Sequence, residues 1–230
     1  MAENLTEEKE QKVAVEASTE DNFAEELVKK NGKLFGIAGA GLIVVLGAVY
    51  FFLSSSNEND LKADTALYRA EHAFSKDSFD LALEGNGNEV TGFLDVASAN
   101  SGTDAGNLAN YYAGIAYMNK GEFESAITSL KEFSSSDLIH QARAYSLIGD
   151  ANLELGNTAE AVSFYTKAVN ENPNKVFTPA YLLKLGLAQE LNGDKPGAIA
   201  SYTKVIEKYP SARTQVRDAK KYKGKLEAGS

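Results

Sequence analysis

Two patterns of apolar and polar positions divide this chain of 230 residues. Near the N-terminus, residues 34–53 read LFGIAGAGLIVVLGAVYFFL, a run of twenty residues without a charged side chain. Farther along, apolar residues between 107 and 210 recur at spacings of three and four, separated by short polar breaks. This second pattern is the periodicity of amphipathic helices. The chain is therefore predicted to hold one apolar span and a longer helical region.

The apolar run Leu34–Leu53 has the length of a transmembrane helix. At about 1.5 Å per residue it would reach about 30 Å, the thickness of the hydrocarbon core of a bilayer. Aromatic residues at 50–52 end the run, where interfacial aromatics are expected. More than thirty residues precede it, and YFFLSSSNEND is a poor cleavage site, which disfavours a signal peptide. A buried core helix should show a polar face, so we expect a retained anchor.

The charges that flank this run predict its orientation. Three lysines lie between residues 29 and 33, whereas Glu58 and Asp60 follow the run and no basic residue occurs before Lys62. Positive flanks stay in the cytoplasm. We expect residues 1–33 to be an acidic, mostly disordered cytoplasmic tail, and the remainder to be translocated. In a Gram-negative bacterium this is a single-pass protein of the inner membrane with a periplasmic domain.

The helical region contains a repeated pair of small residues. Three glycines are each followed twelve residues later by an alanine, and the frames lie 35 and 37 residues apart. The pairs are Gly114 with Ala126, Gly149 with Ala161, and Gly186 with Ala198. A glycine inside a helix costs about 1 kcal/mol relative to alanine, so three in register indicate helices that approach too closely for larger side chains. A period of this length is typical of stacked helical hairpins.

These units resemble the tetratricopeptide repeat, in which a small residue marks the first helix, an alanine and an aromatic mark the second, and a proline closes the unit. The matching residues are Gly149, Ala161, Tyr165, Ala168 and Pro173, and then Gly186, Ala198, Tyr202 and Pro210. The unit from Asn107 departs at its end, where Phe133 replaces a small residue and no proline follows. The resemblance implies an all-α solenoid with three clear repeats over 107–210.

The segments beside the three repeats extend the same architecture. Residues 54–106 are predicted to form a linker and a degenerate hairpin, whose second helix carries a flexible insert over Gly85–Gly92. The glycine spacing of this insert fits no nucleotide-binding fingerprint. We expect Thr178 to cap the first helix of the third unit and Pro179 to be its first residue. Residues 211–230 are predicted to form a capping helix and tail.

The composition of the chain limits the classes of function that it can have. Cysteine is absent, the net charge is −9 and the pI is near 4.9. An acidic chain is a poor nucleic-acid binder, because phosphate contacts require a basic face. His72 and His140 belong to different units and have no neighbouring ligand motif. We therefore expect no catalytic residues, no metal site, no cofactor and no enzyme activity.

The remaining candidate site is the groove on the first helices of the hairpins, where stacked hairpins bind peptides. The groove positions implied by the repeat are Leu108, Tyr111, Ile115, Met118, Arg143, Ser146, Asp150, Leu153, Leu183, Leu187, Glu190 and Leu191. They form an apolar surface with a few charges. The set lacks the Lys and Asn residues with which some relatives clamp a C-terminal carboxylate, so we do not expect that mode.

One anchor followed by such repeats is similar to the ancillary translocon-associated tetratricopeptide family of Gram-negative inner membranes. The text DSFDLALEGNGNEVTGFLD, followed by AGNLANYYAGIAY, resembles the Bacteroidota version. The resemblance implies association with secretion machinery and periplasmic chaperones. Our first hypothesis is a non-enzymatic scaffold or chaperone-like adaptor that holds extended polypeptide. The alternative is a structural subunit of an envelope-assembly or cell-division complex, and self-association is left open.

Overall fold

The computed structural model describes residues 61–229. The predicted tail at 1–33 and the predicted anchor at Leu34–Leu53 lie outside these residues. Within the described part, none of the helices combines the length and the apolar character that crossing a bilayer requires.

Ten helices follow one another along the described chain. The first, α1, covers 61–74 of the described residues. The others are α2 (Phe79–Glu84), α3 (Phe93–Ala99), α4 (Asp104–Lys120), α5 (Phe123–Glu132), α6 (Leu138–Glu154), α7 (Thr158–Glu171), α8 (Thr178–Leu191), α9 (Lys195–Lys208) and α10 (Arg213–Ala228). Between 61 and 229, the β-type pairing is confined to one isolated bridge between Gly85 and Thr91.

The helices pair in sequence order. Helices α4 and α5, α6 and α7, and α8 and α9 form three hairpins, and each hairpin packs against the next through α5–α6 and α7–α8 contacts. Helices α1 to α3 precede the first hairpin, and α10 packs against α9. The predicted all-helical solenoid is thus confirmed for the described residues.

The repeated glycines lie where the two helices of a hairpin meet. A Cβ atom on Gly149 would lie 2.7 Å from the ring of Tyr165, and one on Gly186 would lie 2.4 Å from the ring of Tyr202. On Gly114 it would lie 2.4 Å from the Leu130 side chain. The close approach that the glycine frame predicts is present. The space is filled by the large side chain four residues after the paired alanine.

Glycines and polar caps set the helix boundaries. Gly121 follows α4 with a φ of 76°, and Gly156 and Gly193 have similar left-handed conformations after α6 and α8. A left-handed residue after a helix C-terminus is favourable for glycine because it lacks a Cβ. At helix N-termini, Asp137 accepts a hydrogen bond from the Ile139 amide. These turns keep the connections short.

One predicted boundary differs. Helix α8 begins at Thr178, so Pro179 is its second residue and Thr178 is not the N-cap. The Thr178 hydroxyl instead accepts a hydrogen bond from the Asn174 amide at 2.8 Å, and the Asn174 carboxamide accepts from the amides of Val176 and Phe177. The turn before α8 is therefore held by Asn174. The N-cap position of α8 is occupied by Phe177, not by Thr178.

The insert between α2 and α3 has an internal framework. The Asn86 carboxamide oxygen accepts hydrogen bonds from the backbone amides of residues 88, 89 and 90 at 3.0–3.1 Å. Arg69 on α1 donates to the Glu89 carbonyl at 2.9 Å. The sequence predicts a flexible loop here. These hydrogen bonds instead give the loop a defined local structure.

Helix α10 covers the last hairpin. Val216, Ala219, Tyr222 and Leu226 pack into the apolar cluster of α8 and α9, and Ala219 is fully buried. The basic residues at 213, 217, 220 and 221 are exposed. The helix is therefore apolar towards α9 and basic towards solvent.

Candidate functional site

The candidate site is the surface formed by α4, α6 and α8, the first helices of the three hairpins, which we call the inner face. Helices α4 and α6 contact one another directly. Helix α8 is joined to α6 by Lys184, whose ammonium group bonds the carboxylate of Asp150 at 2.6 and 2.8 Å. The twelve predicted groove residues lie on these helices in different environments.

Four of the predicted groove residues pack against the apolar clusters of the solenoid. Leu108 and Ile115 lie against the apolar cluster shared by α4, α5 and α6. Leu153 packs against the cluster around Tyr165, and Leu183 against the one around Tyr202. The contacts of these side chains hold the solenoid together.

Two further members are enclosed. Ser146 is 3% exposed, and Lys184 reaches its hydroxyl at 3.4 Å. Tyr111 is 4% exposed and packs between the ring of Phe133, at a centroid distance of 4.8 Å, and the ring of His140, at 6.2 Å. A bound chain therefore has little direct access to either side chain.

Two acidic members take part in bonds to second helices. The Tyr165 hydroxyl on α7 donates to Asp150 at 2.6 Å, and the Tyr202 hydroxyl on α9 donates to Glu190 at 3.4 Å. Burial, together with the negative charge of the bonded carboxylate, raises the pKa of both tyrosines well above the ordinary value. The charges of Asp150 and Glu190 are thus partly satisfied within the protein.

The remaining members are accessible. Leu191 is 66% exposed, and Arg143 is exposed. Met118 and Leu187 are partly exposed, and neither belongs to the apolar core clusters of the described residues. These four side chains, from all three inner helices, are the ones that a ligand can reach.

Arg143 lies in an aromatic environment. Its positive charge acts on the hydroxyls of Tyr111 and Tyr112 on α4 and of Tyr181 on α8. Burial raises the pKa of each of these tyrosines, and Arg143 partly offsets the increase. Tyr112 also bonds the Glu71 carboxyl, whose own pKa is raised by burial. The middle of the inner face therefore combines one guanidinium with three phenol groups.

Several of these residues are missing from the predicted groove set. Lys184, Tyr181 and Tyr112 lie beside predicted positions on the same helices, and Glu71 belongs to α1. A signal for Lys184 exists in the sequence, since it is the one charged residue in the apolar stretch YLLKLGLA. The bond from Tyr112 to Glu71 joins two units and has no local sequence signal.

The described residues do not bring together a set of acidic and histidine side chains suited to a metal ion. His140 bonds the Asp137 carboxylate at 2.6 Å on the surface at the start of α6. Its neighbours there are the aromatic ring of Tyr111 and the end of a helix. The chemistry of the inner face is thus that of apolar contacts, hydrogen bonds and charged groups such as the exposed guanidinium of Arg143.

Comparisons with known proteins identify the repeats. A tetratricopeptide repeat model matches residues 111–176, and a second tetratricopeptide repeat model matches residues 180–212. The chain therefore carries tetratricopeptide repeats over α4 to α9. Such proteins are in general non-enzymatic scaffolds for protein interaction.

Solved structures share the fold. A crystal structure of MamA protein superposes with a TM-score of 0.56 at 22% identity, covering 71% of this chain and 85% of that one. A second crystal structure of MamA gives a TM-score of 0.51 at 24% identity, with coverages of 68% and 91%. At these identities the likeness concerns the fold alone. No curated protein matched in a sequence search. Repeats and fold together indicate a protein-interaction scaffold.

Proposed function

We propose that this protein is a non-enzymatic adaptor that binds extended polypeptide segments on its inner face. The observation that carries the proposal is the division of the inner-face side chains into two groups. One group packs against the apolar clusters of the solenoid, whereas Met118, Leu187, Leu191 and Arg143 remain accessible on α4, α6 and α8. Accessible apolar side chains and a cation on the same three helices suit an unfolded or extended chain, which offers side chains and backbone together.

We further propose that the adaptor is held at the periplasmic face of the inner membrane by Leu34–Leu53. The support for this is the uncharged run of twenty residues, its basic N-terminal flank and its acidic C-terminal flank. In that setting the ligands would be envelope proteins in transit, and secretion machinery or periplasmic chaperones would be neighbours.

Site-specific photocrosslinking in cells tests the binding role. A photoreactive residue at Met118 or Leu187 should trap many envelope polypeptides, because both side chains are accessible on the inner face. The same residue at Ser163, exposed on the second helix of a hairpin, is the matched control and should trap few. Equal yields at all three positions would contradict the proposal. Capture of one stoichiometric folded partner would instead favour the envelope-assembly role.

A fusion experiment tests the topology separately. A reporter that is active only in the periplasm, placed after Ser230, should be active, and one that is active only in the cytoplasm should be silent. The reverse result would remove the periplasmic placement and leave the binding proposal intact.

A further inference from the structure

Helix α10 differs in charge from the rest of the described chain. Its residues, Arg213–Ala228, include six basic and two acidic side chains, whereas residues 61–210 hold twelve basic and nineteen acidic ones. The packing of α10 against α8 and α9 uses apolar side chains, so it does not require the helix to be basic. An acidic solenoid therefore carries a basic last helix whose charge the fold does not explain.

Four basic side chains form a row along the solvent side of α10, which we call the basic stripe. Its members are Arg213, Arg217, Lys220 and Lys221, and all four are exposed. The last three lie four, seven and eight residues after the first, spacings that place them on one face of a helix. Ala219, which is buried against the preceding hairpin, lies on the opposite face. The stripe therefore points away from the solenoid.

Most of the basic stripe has no acidic partner within the described residues. Arg217 bonds the Asp218 carboxylate at 3.0 Å. Arg213, Lys220 and Lys221 form no ion pair in that part of the chain. The Lys221 ammonium group lies over the ring of the next residue, 5.8 Å from its centroid, which leaves its charge in place. Three exposed charges are thus available to an anion outside the molecule.

The basic stripe lacks the apolar centre of a surface that docks a folded protein. A protein interface has an apolar core in which aromatic side chains are enriched. None of the large apolar side chains that are exposed between residues 61 and 229 belongs to α10. A row of like charges instead suits a layer of anionic phospholipid headgroups, which attract Lys and Arg through charge alone. The acidic remainder of the solenoid is repelled by such a layer, which turns α10 towards it.

We propose that α10 binds the surface of a membrane that contains anionic phospholipid, through the unpaired side chains of the basic stripe. Headgroup phosphates accept hydrogen bonds from Arg213, Lys220 and Lys221, and bonds between charged groups of this kind are strong. The contact goes beyond the proposed adaptor role and does not depend on it, because it uses none of the three inner helices. It orients the solenoid on the membrane and leaves the inner face open to ligands.

Energy transfer from α10 to labelled lipid measures this contact in the full chain. The chain has no cysteine, so Thr214→Cys, at an exposed position beside the basic stripe, gives a single site for a fluorescent donor. The protein is mixed with vesicles of phosphatidylcholine, with or without phosphatidylglycerol, that carry acceptor-labelled headgroups. Transfer should rise when phosphatidylglycerol is present. The rise should be lost at about 1 M salt, where the screening length is about 3 Å.

Two variants that lose the same number of charges provide the comparison. The stripe variant combines Arg213→Gln, Lys220→Gln and Lys221→Gln. Each basic residue near an anionic surface strengthens binding about fivefold, so this variant should return to the transfer seen without phosphatidylglycerol. The control variant changes three exposed lysines outside α10 and should retain the rise. Its changes are Lys76→Gln, Lys131→Gln and Lys175→Gln. Circular dichroism checks that both variants are folded.

The outcomes separate this contact from the proposed membrane anchor. If the chain associates with both kinds of vesicle and transfer is equal in them, the α10 contact is wrong and the anchor stands. If it associates only with vesicles that contain phosphatidylglycerol, and the stripe variant does not, the anchor is wrong and the α10 contact stands.

Other results would overturn the inference. Equal losses in the stripe and control variants would reduce the effect to general attraction. An equal rise with the donor at Ser163→Cys, exposed on α7, would have the same meaning. A donor at Thr214→Cys that responds to soluble polyglutamate but not to phosphatidylglycerol would show that the stripe binds acidic protein instead of lipid.

Discussion

The α4–α5 and α6–α7 hairpins share the glycine–alanine spacing, but different side chains fill the space beside the glycine. In both, a glycine of the first helix faces a large side chain of the second, Leu130 in one and Tyr165 in the other. The Tyr165 hydroxyl extends across to Asp150, which is also bonded to Lys184 of the next hairpin. Leu130 has no such group, and the buried Tyr111 hydroxyl of α4 has no hydrogen-bond partner between residues 61 and 229.

The two hairpins therefore differ in how many of their polar groups are bonded within the protein. In the second hairpin, the Asp150 carboxylate bonds the Tyr165 hydroxyl and also Lys184 of the third hairpin. The first hairpin keeps a buried hydroxyl, that of Tyr111, without a hydrogen-bond partner among the described residues. We infer that the repeated frame builds the solenoid, while the positions at which the hairpins differ determine what it binds.

Tyr165→Leu should have the largest effect, because it gives the second hairpin the side chain of the first. The variant loses ring packing in the core and the bond to Asp150, at an expected cost of about 3 kcal/mol. Urea unfolding of the full chain, followed by circular dichroism, measures it. A cost below about 1 kcal/mol would mean that the two hairpins have equivalent interiors.

Gly149→Ala should destabilise the protein by about 2 kcal/mol, since the new methyl group would overlap the Tyr165 ring and the core must shift. The control is Gly224→Ala in α10, where no neighbouring atom lies within 4 Å. There the higher helix propensity of alanine should stabilise the protein by up to about 1 kcal/mol. The same sign for both variants would argue against tight packing at Gly149.

Tyr165→Phe and Tyr111→Phe compare the two hydroxyls directly. The first should cost about 1.5 kcal/mol, because it removes a hydrogen bond to a charged acceptor. The second should leave stability unchanged or slightly raise it, because the lost hydroxyl has no hydrogen-bond partner in the part of the chain that the structure describes. Chemical unfolding midpoints measure both, and equal losses would show that Tyr111 is bonded in solution.

Alkaline pH should give the smallest effect. Burial and the Asp150 charge raise the pKa of Tyr165 in the folded state. A raised pKa stabilises the fold below the unfolded tyrosine value of about 10, and this contribution is lost as pH rises beyond it. Stability should therefore decline above about pH 10, less steeply in Tyr165→Phe than in wild type. Thermal melts across this range would reveal identical slopes if the prediction is wrong.

The repeating part of the fold could be predicted from sequence because its causes are local. Helical periodicity, glycine after each first helix and the glycine–alanine spacing all act within one unit. The residue that fills the space at Gly149 was harder to predict, since its identity depends on how two helices rotate against each other. The Thr178 boundary was missed because Asn174 competes for the same turn.

The candidate site was predictable only as a set of positions. The sequence places Leu183 and Leu187 on one helix face without distinguishing the one that packs against a neighbour from the one that remains accessible. Long-range bonds determine the environment of the other groove positions. Lys184 bonds Asp150 across 34 residues, and no periodic pattern in the sequence predicts such a pair. Arg143 was predicted as a groove residue, but its aromatic surroundings follow from tertiary packing.

The affinity of the full chain for a permanently unfolded polypeptide tests the central claim most directly. It should be measured with a new charge on the inner face, Leu187→Glu, and with the same charge on the outer surface, Ala200→Glu. Leu187 is partly exposed on α8 and Ala200 is exposed on α9. The account predicts that Leu187→Glu weakens binding at least about tenfold, because a charge replaces an apolar contact, and that Ala200→Glu leaves it unchanged. Equal affinities for the two folded variants would contradict an inner binding face.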